Sequence, residues 1–257
     1  MALRVVTVDL WNTIVGAAGS RQRQEQRLRR LQAYVERLGV ERSEPELREA
    51  FRQTWRYYTA IWWGQQRTPT SQELTTFLWQ WLELPEEPAI VAQLAEEMAV
   101  GILESPPPLL PYARQALEWL AERYRLALIS DTAFSPGSVL RELLRQYDVA
   151  ELFAAFSFSD ETGVAKPHPR AYRVVLDKLN AAPEEALHIG DLEPTDVQGA
   201  KRLGMSAILF LGDPDSEFSP PAQTLADAIA YHWQQVPELM ERLSCCRRED
   251  NCPQSRA

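Results

Sequence analysis

The sequence predicts an α/β protein with a doubly wound parallel sheet and an inserted all-helical domain. Short apolar runs that end in a polar residue alternate with helical patterns, as at Val5–Val8 and Leu126–Ile129, which is typical of a doubly wound sheet. Between Ser20 and Glu104 the apolar residues keep helical spacing, and no strand-like alternation occurs. The 257 residues, 45% hydrophobic and 25% charged, suffice for one large domain or for a core with a smaller domain.

The first predicted element is a buried strand that ends at a carboxylate. Val5, Val6 and Val8 are apolar and β-branched, which is typical of a strand buried on both faces of a parallel sheet. Asp9 follows at the carboxyl end of the strand, the edge where open α/β sheets bind ligands. An aspartate there can act as a nucleophile or metal ligand, although it can also open a helix as its N-cap.

Residues 16–105 are predicted to form the inserted helical domain. The small residues at 16–20 suit a hinge, and Leu28, Leu31 and Val35 follow at helical spacing. The segment Ser43-Glu44-Pro45-Glu46 predicts a capped helix start. Five tryptophans are predicted to fill the core of this domain: Trp55, Trp62, Trp63, Trp79 and Trp81.

The same aromatic and basic residues have an alternative interpretation. Tyr57, Tyr58, Trp62 or Trp63 instead face the other domain and line a substrate pocket. Three nearby arginines either contact an anionic group of the substrate there or lie in solvent: Arg52, Arg56 and Arg67.

Residues 1–15 and 106–235 are predicted to form the α/β core. The prolines at 106–108 suit a stiff connection that returns the chain to it. The predicted strands are 126–129, 153–158, 187–189 and 207–211, and the predicted helices lie at 112–124, 136–144, 170–179 and 196–203. Residues 244–257 hold all three cysteines without the paired spacing of a zinc site, and we expect a disordered tail there.

Charge and hydropathy restrict the partners and the location. The formal net charge of −9 argues against a nucleic-acid surface. No apolar run approaches the ~20 residues that span a bilayer, and no secretory signal precedes the first strand. We therefore expect a cytoplasmic protein without membrane contact, as a monomer or homodimer, that acts on a small molecule.

Three later motifs add polar groups to Asp9. Ser130 ends the strand at 126–129, Lys166 lies in a Lys-Pro-x-Pro loop, and Gly190-Asp191 follows the strand at 187–189, with Asp196 shortly after. In this order, with a large insertion after the first motif, they resemble the haloacid dehalogenase-like (HAD) hydrolase superfamily and its helical-cap branch. The resemblance covers Val5 to about Leu211.

The resemblance implies a Rossmann-like core, a helical cap and a Mg²⁺-dependent phosphatase. The substrate would be a small phosphorylated metabolite, and Asp9 would form an aspartyl-phosphate. Ser130 and Lys166 would be catalytic, with Ser130 binding phosphoryl oxygens and Lys166 steadying Asp9. The implied Mg²⁺ ligands are Asp9, the backbone carbonyl of Trp11, Asp191 and Asp196, the last bound directly or one layer further out.

Trp11 departs from the pattern of the family's phosphatases. They usually carry an aspartate two residues after the nucleophile, which protonates the leaving group, whereas an indole cannot exchange that proton. The family's dehalogenases have an aromatic residue there, because a halide leaves without a proton. Asp191 and Asp196 nevertheless favour a metal, since unneutralised carboxylates would raise the pKa of Asp9. A metal-independent dehalogenase acting on a halogenated acid and a catalytically weak binding protein are the alternatives.

Overall fold

The computed structural model describes residues 2–246, which form a six-stranded parallel sheet with helices around it. The strands are β1 (Val5–Val8), β2 (Arg125–Ser130), β3 (Phe153–Phe158), β4 (Ala186–Gly190), β5 (Ser206–Phe210) and β6 (Ala228–Ala230). Their order is β3-β2-β1-β4-β5-β6, and all neighbours are parallel. The winding direction reverses between β1 and β4, where doubly wound folds bind ligands. The predicted fold class is confirmed.

Ten α-helices occur within residues 2–246. Four lie in the interval predicted for the inserted domain: α1 (Ser20–Arg37), α2 (Glu44–Gln65), α3 (Ser71–Trp81) and α4 (Pro88–Glu104). The others are α5 (Ala113–Ala121), α6 (Gly137–Gln146), α7 (Ser159–Thr162), α8 (Pro169–Lys178), α9 (Gln198–Arg202) and α10 (Val236–Cys246). None of the helices in this part of the chain is long and apolar enough to cross a bilayer.

The end of the chain differs from the sequence prediction. The short strand β6 and helix α10 were not predicted, and α10 continues through Cys246 into the interval predicted as a disordered tail. The remainder of that interval, residues 247–257, lies outside the described residues.

Strand β1 is the buried centre of the sheet. All four of its residues are buried, because both faces of the sheet are covered. Val6 and Val8 join the apolar cluster on one face, and Val5 joins the cluster on the other face, where Tyr172 is completely buried. This alternation follows from the two-residue period of a strand, and it fixes the position of the residue that follows β1.

The predicted helix start at Ser43-Glu44-Pro45-Glu46 is confirmed. The Glu46 carboxylate accepts the backbone N–H of Ser43 at 2.8 Å, and a proline stands in the first turn. Helix α3 begins the same way, with Glu73 accepting the Thr70 N–H at 2.8 Å. These caps satisfy donors that would otherwise lack partners and set where α2 and α3 begin.

A third apolar cluster lies among α1–α4 and includes one fully buried side chain from outside residues 16–105. Phe134, in the loop after β2, is fully buried there. Its ring meets Phe51 and Trp55 edge-on, with centroids 6.3 and 5.7 Å apart. Edge-to-face pairs are a favoured aromatic geometry.

The prediction that all five tryptophans fill this cluster is correct only in part. Trp79 is buried in it, and Trp55 packs at its edge. Trp62 and Trp63 instead line a cavity, and Trp81 is exposed. The helical period alone does not show which stripe of α2 faces the sheet, since both stripes carry large aromatic residues.

Candidate active site

Asp9 lies at the carboxyl end of β1, beside the end of β4. Its backbone N–H donates to the carbonyl of Ile189 at 2.9 Å, and the residue is only 4% exposed. The Lys166 ammonium donates to Oδ1 of Asp9 and to Oδ1 of Asp196, the latter at 2.6 Å. The structure thus brings together three of the predicted site residues, from segments 157 and 30 residues apart.

Asp196 is surrounded by donors. Besides Lys166, Nε2 of His188 approaches Oδ1 at 2.9 Å, while the Leu192 N–H and the Thr195 hydroxyl donate to Oδ2 at 3.0 and 3.1 Å. Both carboxylate oxygens therefore already have two partners. This arrangement suits a residue that holds Lys166 in place better than it suits a direct metal ligand.

Gly190 makes this arrangement possible. A Cβ atom at that position would stand 2.4 Å from Cγ of Asp196. The turn Glu193–Val197 folds Asp196 back against the end of β4, and only glycine leaves room for it. Steric crowding by Asp196 therefore explains why a glycine precedes Asp191.

His188, which the sequence analysis did not select, supports Asp196 from within the sheet. It is fully buried on β4, with Nδ1 2.7 Å from the Thr7 hydroxyl. Since a carboxylate only accepts, Nε2 carries the proton toward Asp196 and Nδ1 accepts from Thr7. Burial lowers the pKa of His188, which keeps the ring neutral. The apolar residues around it in the sequence gave no sign of this role.

Asp131 borders the cavity in place of Ser130, the residue that the sequence predicted there. The Ser130 hydroxyl donates to the carbonyl of Asp131 at 3.4 Å and does not border the cavity described below. Asp131 does border it, and its carboxylate accepts the Lys166 backbone N–H and the Trp62 indole N–H, both at 3.0 Å. The predicted contact of Ser130 with phosphoryl oxygens stays a prediction.

Burial and shared charge set the protonation of the site. Burial raises the pKa of Asp9 to about 7, although Lys166 opposes this. Burial also raises the pKa of Asp191, as do Asp196 and Asp9. Burial disfavours the Lys166 ammonium, but the carboxylates outweigh it and hold its pKa well above its usual value. Lys166 and His188 together overcome burial at Asp196 and lower its pKa.

The donor set fits a divalent cation with oxygen ligands. Among the residues that the structure describes, Asp191 receives one hydrogen bond, from the Asn12 amide to Oδ2 at 3.0 Å, and Lys166 binds Asp9 through Oδ1. One oxygen of each carboxylate thus remains for a metal, together with the Trp11 carbonyl. Within residues 2–246 no three His, Cys, Asp or Glu side chains are placed to bind a metal alone. Mg²⁺ needs only one or two carboxylates, because water completes its shell.

A cavity of about 960 Å³ opens above these residues, between the sheet edge and helices α1 and α2. Asp9, Lys166 and Asp191 border it from the sheet. The opposite wall is largely aromatic and includes Trp55, Tyr58, Trp62 and Trp63. The interpretation that cap aromatics face the site is therefore correct for Tyr58, Trp62 and Trp63, whereas Tyr57 stacks on Phe77 at 4.4 Å.

The sequence is similar over part of its length to several proteins that are named as phosphatases. It is 32% identical over 133 residues to the glyceraldehyde 3-phosphate phosphatase of Pyrococcus furiosus, covering 51% of this chain and 54% of the relative. It is 37% identical over 115 residues to the phosphoserine phosphatase of Thermus thermophilus, covering 43% and 46%. The chain thus spans about half the length of the relatives it matches.

Solved structures share the fold over nearly the whole chain. A 2-haloacid dehalogenase from Pseudomonas syringae superposes with a TM-score of 0.70 at 24% identity, covering 94% of this chain and 99% of the other. A HAD phosphatase from Thermococcus onnurineus gives 0.62 at 20% identity, covering 93% and 98%. The family model for haloacid dehalogenase-like hydrolases matches residues 3–204. Because that match runs from the strand before Asp9 past the turn that carries Asp196, the chain belongs to the haloacid dehalogenase-like hydrolases.

Proposed function

We propose that this protein is a Mg²⁺-dependent phosphatase that forms an aspartyl-phosphate on Asp9. The observation that carries the proposal is the grouping of Asp9, Lys166 and Asp191 at the floor of one cavity. A buried carboxylate with an ammonium beside it can approach an anionic phosphate ester. The phosphatase names of the partial relatives support the same chemistry.

The reaction consists of two displacements at phosphorus. An Asp9 carboxylate oxygen attacks, the ester P–O bond breaks, and the leaving oxygen departs as an anion that takes up a proton from water. Water then attacks the acyl phosphate and releases inorganic phosphate with the Asp9 carboxylate regenerated. Lys166 holds Asp9 and stabilises negative charge on the transferring group, while Asp196 and His188 keep the ammonium in position.

Mg²⁺ would be held by Asp9, Asp191 and the Trp11 carbonyl, and when bound it supplies positive charge to the phosphoryl oxygens. Asp9, Asp191 and Asp196 lie close together at this site. Among the described residues, Lys166 is the only lysine or arginine that forms a salt bridge with any of them. Burial outweighs Lys166 and raises the pKa of Asp9, so one ammonium leaves part of the buried negative charge uncompensated. A second cation at Asp191 would restore the balance.

Trp11 limits the esters that this site cleaves well. Its indole N–H donates to the carbonyl of Asp131 at 3.1 Å, so the side chain is fixed and offers no proton to a leaving group. We infer that esters with acidic leaving groups are the better substrates.

Metal-independent dehalogenation of a 2-haloacid is the second candidate, and Trp11 is the observation that favours it. In that reaction Asp9 would attack a carbon atom of the haloacid, and Asp191 would have no function. Asp191 argues against it, because a carboxyl group whose pKa is raised by burial and by the charges of Asp196 and Asp9 gains a function only when a cation binds there.

Two release assays test the proposal. Phosphate release from nitrophenyl phosphate should require Mg²⁺ and stop with EDTA, and Asp9→Asn should abolish it together with any acid-stable adduct seen by mass spectrometry. Asp177→Asn, an exposed carboxylate on α8, should behave as wild type. Halide release from a 2-haloacid in EDTA would establish the second candidate instead, and inactivity in both assays would indicate a binding protein.

A further inference from the structure

Five arginines border the cavity on the side of α1 and α2: Arg21, Arg23, Arg27, Arg48 and Arg52. Arg21 is exposed to solvent, and three of the other four are already bonded. Arg48 forms two hydrogen bonds to Glu25, at 2.6 and 2.8 Å, and Arg52 donates to Glu49 at 2.6 Å. Two acidic side chains therefore neutralise these two guanidinium groups, and neither needs a ligand.

Arg23 is bonded differently, to neutral groups. It is buried, and its guanidinium donates to the carbonyls of Ala18 and Ala17 at 2.9 and 3.3 Å. These carbonyls belong to the connection between β1 and α1. Arg23 thus fixes that connection while its positive charge stays uncompensated.

Arg27 follows one turn later on α1 and also borders the cavity. Its guanidinium lies 5.1 Å from the centroid of the Phe134 ring, and no carboxylate or carbonyl within residues 2–246 accepts a hydrogen bond from it. Burial, with the charges of Arg23 and Arg30, lowers the pKa of Arg27 to about 10. A guanidinium held this way is preorganised for an anion, since it has up to five donors to offer.

We propose that Arg27 binds a second anionic group of the substrate, a carboxylate or phosphate remote from the ester that Asp9 attacks. The inference rests on the proposed phosphatase function, because it assumes that the first anion is the scissile phosphate. Asp9 and Arg27 border the same cavity from its two walls, so one molecule can meet both. In a chain of net charge −9, a guanidinium without an acidic partner beside the reaction site is a specific feature.

The rest of the wall indicates the body of that substrate. Between the two charged ends the cavity presents aromatic rings, among them Trp55, Tyr58 and Trp62. Its volume of about 960 Å³ is at the upper end of the ~300–1,000 Å³ that is usual for drug-sized ligands. Flat organic monophosphates with a second anion therefore match the site.

The test compares esters that differ only in that second charge. Phenyl phosphates with a 3- or 4-carboxylate are assayed against the matching carboxamides, which have nearly the same size and no charge. We expect kcat/KM to favour the carboxylate about tenfold in at least one pair. Arg27→Gln should bring the ratio to one or below, because the guanidinium that binds the second anion is then absent.

Two further variants separate binding from folding. Arg27→Lys keeps the charge and should keep part of the preference. Arg29→Gln alters an exposed arginine on the same helix outside the cavity and should keep all of it. No preference in wild type, or a preference that survives Arg27→Gln, would overturn the proposal while leaving the phosphatase intact.

Calorimetry distinguishes failure of the subsite from failure of the proposed function. The probes are 4-carboxybenzylphosphonate and its carboxamide, which contain no scissile ester. Tighter binding of the carboxylate, lost in Arg27→Gln, would support the subsite even if no ester were hydrolysed, and the proposed function alone would then fail. Equal binding of both probes, or binding of neither, would reject the subsite.

Discussion

Asp196→Asn is the most informative single substitution, because one carboxylate meets four donors in a buried place. Wild-type Asp196 accepts from Lys166, His188, Leu192 and Thr195 at 2.6 to 3.1 Å and is 1% exposed. An amide offers one acceptor oxygen and turns N–H groups toward the other donors. It also leaves the Lys166 ammonium with one carboxylate fewer. Breaking a buried ion pair costs about 3–5 kcal/mol, and we expect the free energy of unfolding to fall by that amount.

Urea denaturation followed by tryptophan fluorescence measures this loss, and phosphate release measures its functional side. Asp177→Asn is the matched control and should stay within about 0.5 kcal/mol, as surface substitutions usually do. Turnover should fall sharply in Asp196→Asn even where the variant is folded, because Lys166 loses its support. A variant that loses less than about 1 kcal/mol, or retains full turnover, would show that the contacts of Asp196 do not carry the weight assigned to them.

Four further outcomes follow from the site. At a hundredfold excess over Kd, Mg²⁺ should add about 2.7 kcal/mol to the free energy of unfolding and so raise the melting temperature. Asp191→Ala should remove that gain. Because Asp9 and Asp191 must both lose a proton to bind the metal, and burial raises both pKa values, that of Asp9 to about 7, Mg²⁺ affinity should rise with pH through about 7, measured by calorimetry. Trp11→Asp should increase kcat/KM for alkyl phosphates relative to nitrophenyl phosphate, and an unchanged ratio would contradict the role given to the indole. Trp62→Phe removes the 3.0 Å hydrogen bond to Asp131 between helix α2 and the sheet and should lower stability by about 1 kcal/mol in urea denaturation, whereas Trp81→Phe, at an exposed position, should not.

Much of the fold and part of the site could be predicted from the sequence. Apolar runs that end in Asp9, Ser130 and Asp191 predict parallel strands whose carboxyl ends meet, and in a doubly wound sheet that convergence is a matter of topology. The structure places Asp9 and Asp191 at the point where the strand order reverses. Lys166 could be assigned to the site only from the resemblance to the family, because a lysine in a loop belongs to no helical or strand pattern.

The supporting residues could not be predicted, because their roles arise from contacts between distant segments. His188 lies in an apolar strand and reads as core, and its partners Thr7 and Asp196 are 181 and 8 residues away. Arg27 resembles any arginine on a helix surface until the packing of α1 shows which arginines already have acidic partners. Trp62 could be placed only when the orientation of α2 was known.

The burial of Phe134 among helices α1–α4 bears on how such proteins can be recombined. The Phe134 ring comes from a loop of the sheet but completes the apolar cluster among α1–α4. The predicted domain boundary in the sequence therefore does not coincide with the boundary of that cluster. An isolated segment 16–105 would lack a wall of its interior, and the remaining chain would display a large aromatic ring to water. A transfer of helices α1–α4 into another protein would therefore have to include the loop after β2 as well, so the transferred unit would be discontinuous along the chain.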